Sequence, residues 1–110
     1  MLTKLICESQ WYNPVVGFPK FYLSAEGGDV NPATKVDCSF SVVNGTTVVT
    51  TAKVEGVELS PSPDRGGSTW RCTTKAIENL PTNIPLKMLT TITDDQNKTA
   101  SCTGIVTLRP

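Results

Sequence analysis

The side chains whose chemistry is most informative in this sequence are four cysteines, Cys7, Cys38, Cys72 and Cys102. No Cys-x-x-Cys pair occurs and the chain has no histidine, so the ligand spacings of a zinc site are missing. An even number of widely spaced cysteines in a small domain is typical of two disulfides and an oxidising compartment. Four reduced, buried cysteines in a cytosolic protein are the alternative. We expect an extracellular protein without a bound metal.

The other polar residues do not indicate catalytic machinery. A chain without histidine cannot assemble a Ser-His-Asp or Cys-His nucleophilic site. Its carboxylates are scattered, which favours solvated surface residues over a hydrolytic pair. Residues 94–97 (Asp-Asp-Gln-Asn) offer oxygen ligands of the kind calcium prefers, but the same residue types are standard turn formers. We expect a non-catalytic protein without a cofactor.

Composition and charge indicate one small globular domain spanning residues 1–110. The 10 basic and 10 acidic residues cancel, and no run of lysine or arginine occurs. Nucleic-acid and anionic-membrane surfaces both attract proteins with an excess of positive charge. We therefore expect neither as the main partner, and we expect membrane attachment only through an anchor outside this chain. The domain is expected to be a piece of a larger secreted or membrane-anchored protein.

The clearest structural signal is the segment from Val36 to Val54, in which Asn44-Gly45 separates two runs rich in valine, threonine and phenylalanine. Asn-Gly is favoured in two-residue hairpin turns because both central residues take positive φ. With that turn, Phe40 would face Val49 across the hairpin. The alternation predicts one buried face, formed by Val36, Cys38, Phe40, Val42 and Val49.

Further strands are expected on both sides of this hairpin. The strand-like segments are residues 2–7, 15–23, 69–74, 85–93 and 99–108, and the second hairpin arm continues to residue 59. Turns or loops are expected at residues 8–14, 25–34, 60–68, 78–84 and 94–98. About seven short strands joined by turn-rich links, without a convincing helix, predict an all-β antiparallel sandwich.

Two short motifs resemble those of the immunoglobulin superfamily. Leu5-Ile6-Cys7, followed by Trp11-Tyr12-Asn13-Pro14, is similar to the strand-B cysteine and the turn after it. The segment from Asp64 to Cys72 is similar to the D-x-G-x-Y-x-C signature, with Trp70 in place of the tyrosine. The acidic residue lies two positions too early, and the family's strand-C tryptophan is replaced by Phe21 or Tyr22. The resemblance implies a divergent immunoglobulin-like sandwich.

The four cysteines allow three pairings, and loop entropy barely separates them because it grows only logarithmically with loop length. The immunoglobulin resemblance implies Cys7–Cys72 and Cys38–Cys102, since either span matches the link between the two sheets of that fold. Sequential pairing, Cys7–Cys38 with Cys72–Cys102, is the rival.

Candidate contact residues lie in the predicted turns. Trp11 and Tyr12 lie in a predicted turn, where they form either an exposed aromatic pair suited to binding, since tryptophan and tyrosine dominate interface hot spots, or a local plug of the core. The proline- and glycine-rich loop at 60–68 adds Ser60, Pro61, Pro63 and Arg65. Asn44-Gly45-Thr46 and Asn97-Lys98-Thr99 are glycosylation sequons, so Asn44 and Asn97 are expected to face solvent as glycoprotein attachment sites.

These features predict a secreted or cell-surface immunoglobulin-like module that binds another protein, as in receptors and adhesion proteins. A structural sandwich domain of a viral or gamete surface or fusion glycoprotein is an alternative. A small secreted inhibitor of a protease or immune protein, presenting the loop at Ser60–Ser68, is another. An apolar patch at Trp11 and Tyr12, or along one sheet, would favour a receptor pair or a homodimer.

Overall fold

The computed structural model describes residues 5–29, 34–62 and 67–109. Within these ranges the chain forms nine β-strands and no helix. The strands are β1 (Ile6–Pro14), β2 (Lys20–Asp29), β3 (Lys35–Asn44), β4 (Thr47–Glu58), β5 (Ser60–Ser62), β6 (Gly67–Thr73), β7 (Ile77–Glu78), β8 (Pro85–Asp94) and β9 (Thr99–Thr107). None of the described segments forms a helix long and apolar enough to cross a membrane.

The strands form two antiparallel sheets. Sheet I has the order β1-β2-β6-β5, with β7 paired to the start of β2, and sheet II has the order β4-β3-β8-β9. Successive hairpins therefore alternate between the two sheets. The prediction of an all-β protein with two antiparallel sheets and two disulfides is confirmed, with nine strands in place of about seven.

The hydrophobic core lies between the two sheets and is built by alternation along the strands. In β3 and β8, every second residue is buried while its neighbours are solvent-facing, as expected for strands that are covered on one side only. The largest fully buried side chains are Phe21 and Leu23 from sheet I and Phe40, Leu86, Met88 and Ile92 from sheet II. Because both sheets contribute, neither sheet is expected to be stable without the other.

The hairpin predicted around Asn44-Gly45 is present, and Val36, Cys38, Phe40 and Val42 are buried as predicted. Its predicted register is wrong. Asn44 pairs with Thr47, so the turn residues are Gly45 and Thr46, and Phe40 faces Ala52 instead of Val49. Irregularities between Val36 and Cys38 and between Val42 and Val43 shift the pairing further. Such β-bulges add unpaired residues that an alternating pattern does not reveal.

The predicted loop at 25–34 is wrong for its first half, because β2 continues through Asp29. Gly27 and Gly28 are buried strand residues. A Cβ on Gly27 would collide with the Ile6 backbone carbonyl and would lie 2.9 Å from Cζ2 of Trp70. Glycine is therefore required here by the close approach of β1 and the indole ring, a use of glycine in strands that resembles a turn signal in sequence.

The predicted turn at 8–14 is also wrong, since these residues belong to β1. Gln10 points into the core without a desolvation penalty, because its Nε2 donates to the Met88 carbonyl (2.9 Å) and its Oε1 accepts from Thr90 (2.7 Å). The chain reverses later, at residues 15–19, which the sequence placed in a strand. A proline at each side of this loop, Pro14 and Pro19, accounts for the break.

Parts of the remaining chain match expectation. The loop at 79–84 and the turn at 95–98 are present, and Leu86, Met88 and Ile92 of β8 are buried. The predicted loop at 60–68 is partly strand, since β5 occupies Ser60–Ser62 and β6 begins at Gly67. Residues 1–4, where a first strand was expected to start, lie outside the described ranges, as do residues 63–66.

Both disulfides connect sheet I to sheet II, but the pairing implied by the immunoglobulin resemblance is wrong. Cys7 of β1 is bonded to Cys102 of β9, and Cys38 of β3 is bonded to Cys72 of β6, with Cα–Cα distances of 5.5 and 6.5 Å. The sequential alternative is wrong as well. The fold brings the edge strands β1 and β9 together, a geometry that cysteine spacing does not encode.

Candidate functional site: an aromatic and arginine face on sheet I

The outer surface of sheet I carries a group of large side chains that do not enter the core. In β1, β2 and β6, residues that face each other across the sheet share one side of it, and Trp11, Ser24 and Thr73 form one such row. The next rows on the same side place Tyr22 opposite Asn13 and Glu26 opposite Arg71. We call Trp11, Tyr22, Glu26 and Arg71 the Trp11 face.

Arg71 is held between the other members of this face. Its Nε and Nη2 donate to Oε2 of Glu26 at 3.2 and 2.9 Å, and its guanidinium lies 5.6 Å from the centre of the Trp11 ring. Exposed ion pairs and cation–π contacts each contribute only about 0.5–1 kcal/mol. Their main effect is to order Arg71 and Trp11, which lowers the entropy that a binding partner would have to overcome.

Polar side chains in the middle of the face are satisfied within the sheet. Ser24 is buried although it points outward, and its Oγ lies 3.0 Å from Oγ1 of Thr73. This hydroxyl pair lies in the same cross-strand row as Trp11. Ser24 is therefore shielded from water at the centre of the face, while Thr73, Arg71 and Tyr22 remain exposed.

Trp11 extends the face toward sheet II. It lines a shallow depression of about 250 Å³ together with Gln10, Gly104 and Ile105, where β1 meets β9. Ile105 is 72% exposed. Because Gly104 has no side chain, the indole ring and Ile105 border an open surface of mixed polar and apolar character at the junction of the two sheets.

A polar groove of about 420 Å³ adjoins the other side of the face. Glu8, Glu58 and Ser60 line it, together with Glu26 and Arg71 of the Trp11 face. Three carboxylates and one guanidinium give the groove an acidic character. A partner that covered both surfaces would have to present an apolar region beside a basic one.

The predicted aromatic pair is divided by strand alternation. Trp11 faces outward, whereas Tyr12 faces the interior, where its ring packs edge-on against Phe21 with 5.8 Å between the ring centres. The Tyr12 hydroxyl accepts a hydrogen bond from the backbone N–H of Arg109 (3.2 Å). A binding role for Trp11 remains a prediction, and the contacts of Tyr12 are those of a packing residue.

The predicted contact loop at 60–68 lies only partly within the described residues. Ser60 and Pro61 lie in the short strand β5 and are exposed, and Ser60 borders the polar groove. Pro63 and Arg65 lie outside the described residues. Ser60 is thus the residue of this loop that borders the polar groove beside the Trp11 face. A role of Ser60 in binding remains a prediction.

Sequence reasoning missed Tyr22, Glu26 and Arg71 as members of one surface. The alternation in Phe21-Tyr22-Leu23-Ser24-Ala25-Glu26 was a usable signal, because it places Tyr22 and Glu26 opposite the buried Phe21 and Leu23. Arg71 required the strand order, since only the pairing of β2 with β6 brings it to Glu26.

The two predicted glycosylation sites are exposed and lie at opposite ends of the sandwich. Asn44 is at the tip of the β3–β4 hairpin, and Asn97 is in the β8–β9 turn with a φ of 61°. Both side chains are accessible to solvent, as a glycan would require. Whether they carry sugars remains a prediction.

The acidic turn at 94–98 uses its carboxylates for hydrogen bonds within the protein. Oδ1 of Asp94 accepts from the backbone N–H groups of Gln96 and Lys98 at 2.8 and 2.9 Å. The side-chain hydroxyl and the backbone N–H of Thr34 donate to Asp95, which lowers the pKa of that carboxyl. No group of three or more His, Cys, Asp or Glu residues suited to a metal ion occurs in the described part of the chain.

Comparisons of the chain with protein-family models and with curated proteins found no match. The Trp11 face is therefore interpreted from its own chemistry.

Proposed function

We propose that this chain is an extracellular immunoglobulin-like domain that recognises another protein through the Trp11 face and has no catalytic activity. The observation that carries the proposal is the contact of Arg71 with Trp11 on an open sheet surface that also carries the exposed Tyr22. Tryptophan, tyrosine and arginine are the residues most enriched in interface hot spots.

The surroundings of the face support a protein as the partner. The centre of a protein interface is usually apolar and dry, with polar residues around it. Here the Trp11–Ile105 surface lies on one side of the arginine and the acidic groove on the other. We expect the partner to place an apolar side chain against Trp11 and a basic side chain near Glu58.

Two disulfides support an extracellular location, because such bonds persist in oxidising compartments. Two antiparallel sheets with the core between them support an immunoglobulin-like arrangement, although neither disulfide is the link that the resemblance implied. Receptor and adhesion domains of this class bind other ectodomains, and this is the partner class that we propose.

The test is a binding screen of the oxidised, folded chain against a displayed library of extracellular domains. Each domain bound by the wild type is titrated again with Trp11→Ala, with Arg71→Ala and with Thr91→Ala, a control on the outer face of sheet II. We expect Trp11→Ala and Arg71→Ala each to weaken binding about 30-fold or more, which is a hot-spot loss of about 2 kcal/mol. Thr91→Ala should leave the affinity within about twofold.

A partner whose affinity is insensitive to both face substitutions would contradict the proposal. Loss of affinity in all three variants would indicate damage to the fold, and thermal unfolding of each variant separates that result from a local effect. Conversion of a substrate by the purified chain would contradict the non-catalytic part.

A further inference from the structure

The exposed apolar side chains are concentrated at one end of the sandwich. The loop between β1 and β2 consists of Val15, Val16, Gly17, Phe18 and Pro19, without a charged or polar side chain. Val16 is 93% exposed and Phe18 is 59% exposed. Large side chains of this kind are normally shielded from water, so their display at a loop tip calls for a function.

The pairing of the strands brings the other exposed apolar residues to the same end. Pro14 pairs with Phe21 beside this loop in sheet I, while Asn44 pairs with Thr47, and Pro85 with Thr107, at one end of sheet II. The hydrogen bond from the Arg109 N–H to the Tyr12 hydroxyl joins these ends. We call this the loop end; its exposed large apolar residues are Val16, Phe18, Tyr22, Val48, Ile84 and Ile105.

The β1–β2 loop is ordered by its own backbone. Val15 N–H donates to the Lys20 carbonyl (2.9 Å), Phe18 N–H to the Val15 carbonyl (3.3 Å), and Lys20 N–H to the Phe18 carbonyl (2.8 Å). Gly17 supplies the positive φ of 81° that the turn requires. These bonds order the loop, and Val16 and Phe18 remain exposed at its tip, where the loop residues border an apolar depression of about 500 Å³.

Charge is also distributed unequally between the two ends. Four basic residues, Lys20, Lys75, Lys87 and Arg109, lie at the loop end, against one acidic residue, Glu78, which is paired with Lys20 at 2.9 Å. The other described acidic residues lie toward the opposite end: Glu8, Glu26, Asp29, Asp37, Glu55, Glu58, Asp94 and Asp95. The described basic residues outside the loop end are Lys35, Lys53, Arg71 and Lys98, so acidic residues outnumber basic ones there by eight to four. A net charge of zero thus conceals a cationic end and an acidic end.

We propose that the loop end contacts an anionic lipid bilayer, with Val16 and Phe18 inserted between the lipids and Lys75, Lys87 and Arg109 near the phosphates. Exposed apolar side chains with cations on neighbouring strands match the two layers of such a membrane surface. Neither signal is sufficient alone, because a small apolar anchor gives only marginal binding and exposed charges are screened by salt. The inserted residues Val16 and Phe18 are not part of the Trp11 face, whereas Tyr22 belongs to both surfaces.

The experiment is co-sedimentation of the oxidised full chain, after enzymatic removal of any N-glycans, with vesicles of phosphatidylcholine alone or with phosphatidylserine added. We expect binding to the anionic vesicles at least tenfold stronger than to the neutral ones, and weaker binding as salt is raised. Val16→Ser/Phe18→Ser should lower binding to anionic vesicles about tenfold, because it removes the inserted apolar groups.

Two matched lysine pairs test the placement of charge. Lys75→Gln/Lys87→Gln removes two charges from the loop end, and Lys35→Gln/Lys98→Gln removes two from the opposite end. Each basic side chain near an anionic surface raises binding about fivefold, so the first pair should lower binding more than tenfold and the second less than twofold. Equal effects of the two pairs would overturn the proposed orientation.

Absence of binding to anionic vesicles by the folded chain would reject the lipid proposal and would leave a protein partner as the occupant of the loop end. Unchanged binding of Val16→Ser/Phe18→Ser, with its melting temperature as the folding control, would reject insertion of the tip. Because Val16 and Phe18 lie outside the core, the double serine variant is expected to fold.

Discussion

Replacing Gly27 by alanine tests the close contact between β1, β2 and Trp70 that shapes sheet I. The added Cβ would overlap the Ile6 carbonyl, which belongs to the paired strand, and would lie 2.9 Å from Cζ2 of Trp70. Neither neighbour is the free end of a flexible side chain, since Trp70 is 2% exposed and lies in the core. Relief of the overlap must therefore move β1 or the indole ring.

The expected cost follows from two opposing effects. Overpacking of a well-packed interior typically costs about 1–3 kcal/mol, and a strand alanine gains about 0.5–1 kcal/mol over glycine. We expect a net loss of about 1–2 kcal/mol in the free energy of unfolding. For a domain of this size that corresponds to a fall in melting temperature of about 4–16 °C, measured by circular dichroism or calorimetry.

Gly104→Ala is the matched control. It is also a strand glycine, but a Cβ there would meet only Nε2 of Gln10, at 3.7 Å, which is ordinary van der Waals contact. This variant should unfold at the wild-type temperature or slightly above it. A Gly27→Ala protein that melts at or above the wild type, or a shift equal to that of Gly104→Ala, would refute the close packing of Trp70 on β1 and β2.

Three further substitutions probe individual features by thermal unfolding. Gly45→Val should cost about 1–2 kcal/mol, because Gly45 has a φ of 62° and no atom lies within 4 Å of the new Cβ to compensate. Thr90→Val should cost about 1–3 kcal/mol, because it leaves Oε1 of the inward-facing Gln10 without its donor. Asp95→Asn should make the free energy of unfolding less dependent on pH in the acidic range. Thr34 lowers the folded-state pKa of Asp95, so this stabilisation is present above the unfolded-state pKa of about 4 and is lost as the pH falls through the folded-state value.

For each of these three substitutions, a specific result would contradict the expectation. Gly45→Asn should be tolerated because asparagine accepts positive φ, so equal losses for Asn and Val would contradict a conformational cause. An unchanged melting temperature for Thr90→Val would show that Gln10 is satisfied by other means. If Asp95→Asn has the same dependence of stability on pH as the wild type, the contact between Asp95 and Thr34 does not contribute to the stability of the fold.

The sequence predicted the buried faces of individual strands well and their mutual arrangement poorly. Alternation identified the inward residues of β3 and β8, because burial on one side imposes a period of two. It did not predict the register of β3 and β4, since bulges shift the pairing without changing the composition. Gly27 and Gly28 were interpreted as loop residues because the reason for glycine, the approach of Ile6 and Trp70, is a tertiary one.

In the candidate site, too, local sequence features were predictable and features that depend on the arrangement of strands were not. Trp11 was identified from its residue type alone, and its outward direction follows from its position in β1. The separation of Tyr12 from Trp11 required knowledge that residues 8–14 form a strand. Arg71 joins the face through the order of β1, β2 and β6, which depends on contacts distant in sequence. The charge polarity of the two ends likewise depends on topology, and net charge concealed it.

The most direct test of this arrangement is the connectivity of the four cysteines, because the same sheet order that pairs them also assembles the Trp11 face. Trypsin separates all four cysteines, since a lysine or arginine lies between each successive pair. Non-reducing peptide mapping should find the peptide 5–20 linked to 99–110 and the peptide 36–53 linked to 72–75. A link from 5–20 to 72–75 or to 36–53 would contradict the sheet order and, with it, the surface proposed to bind the partner.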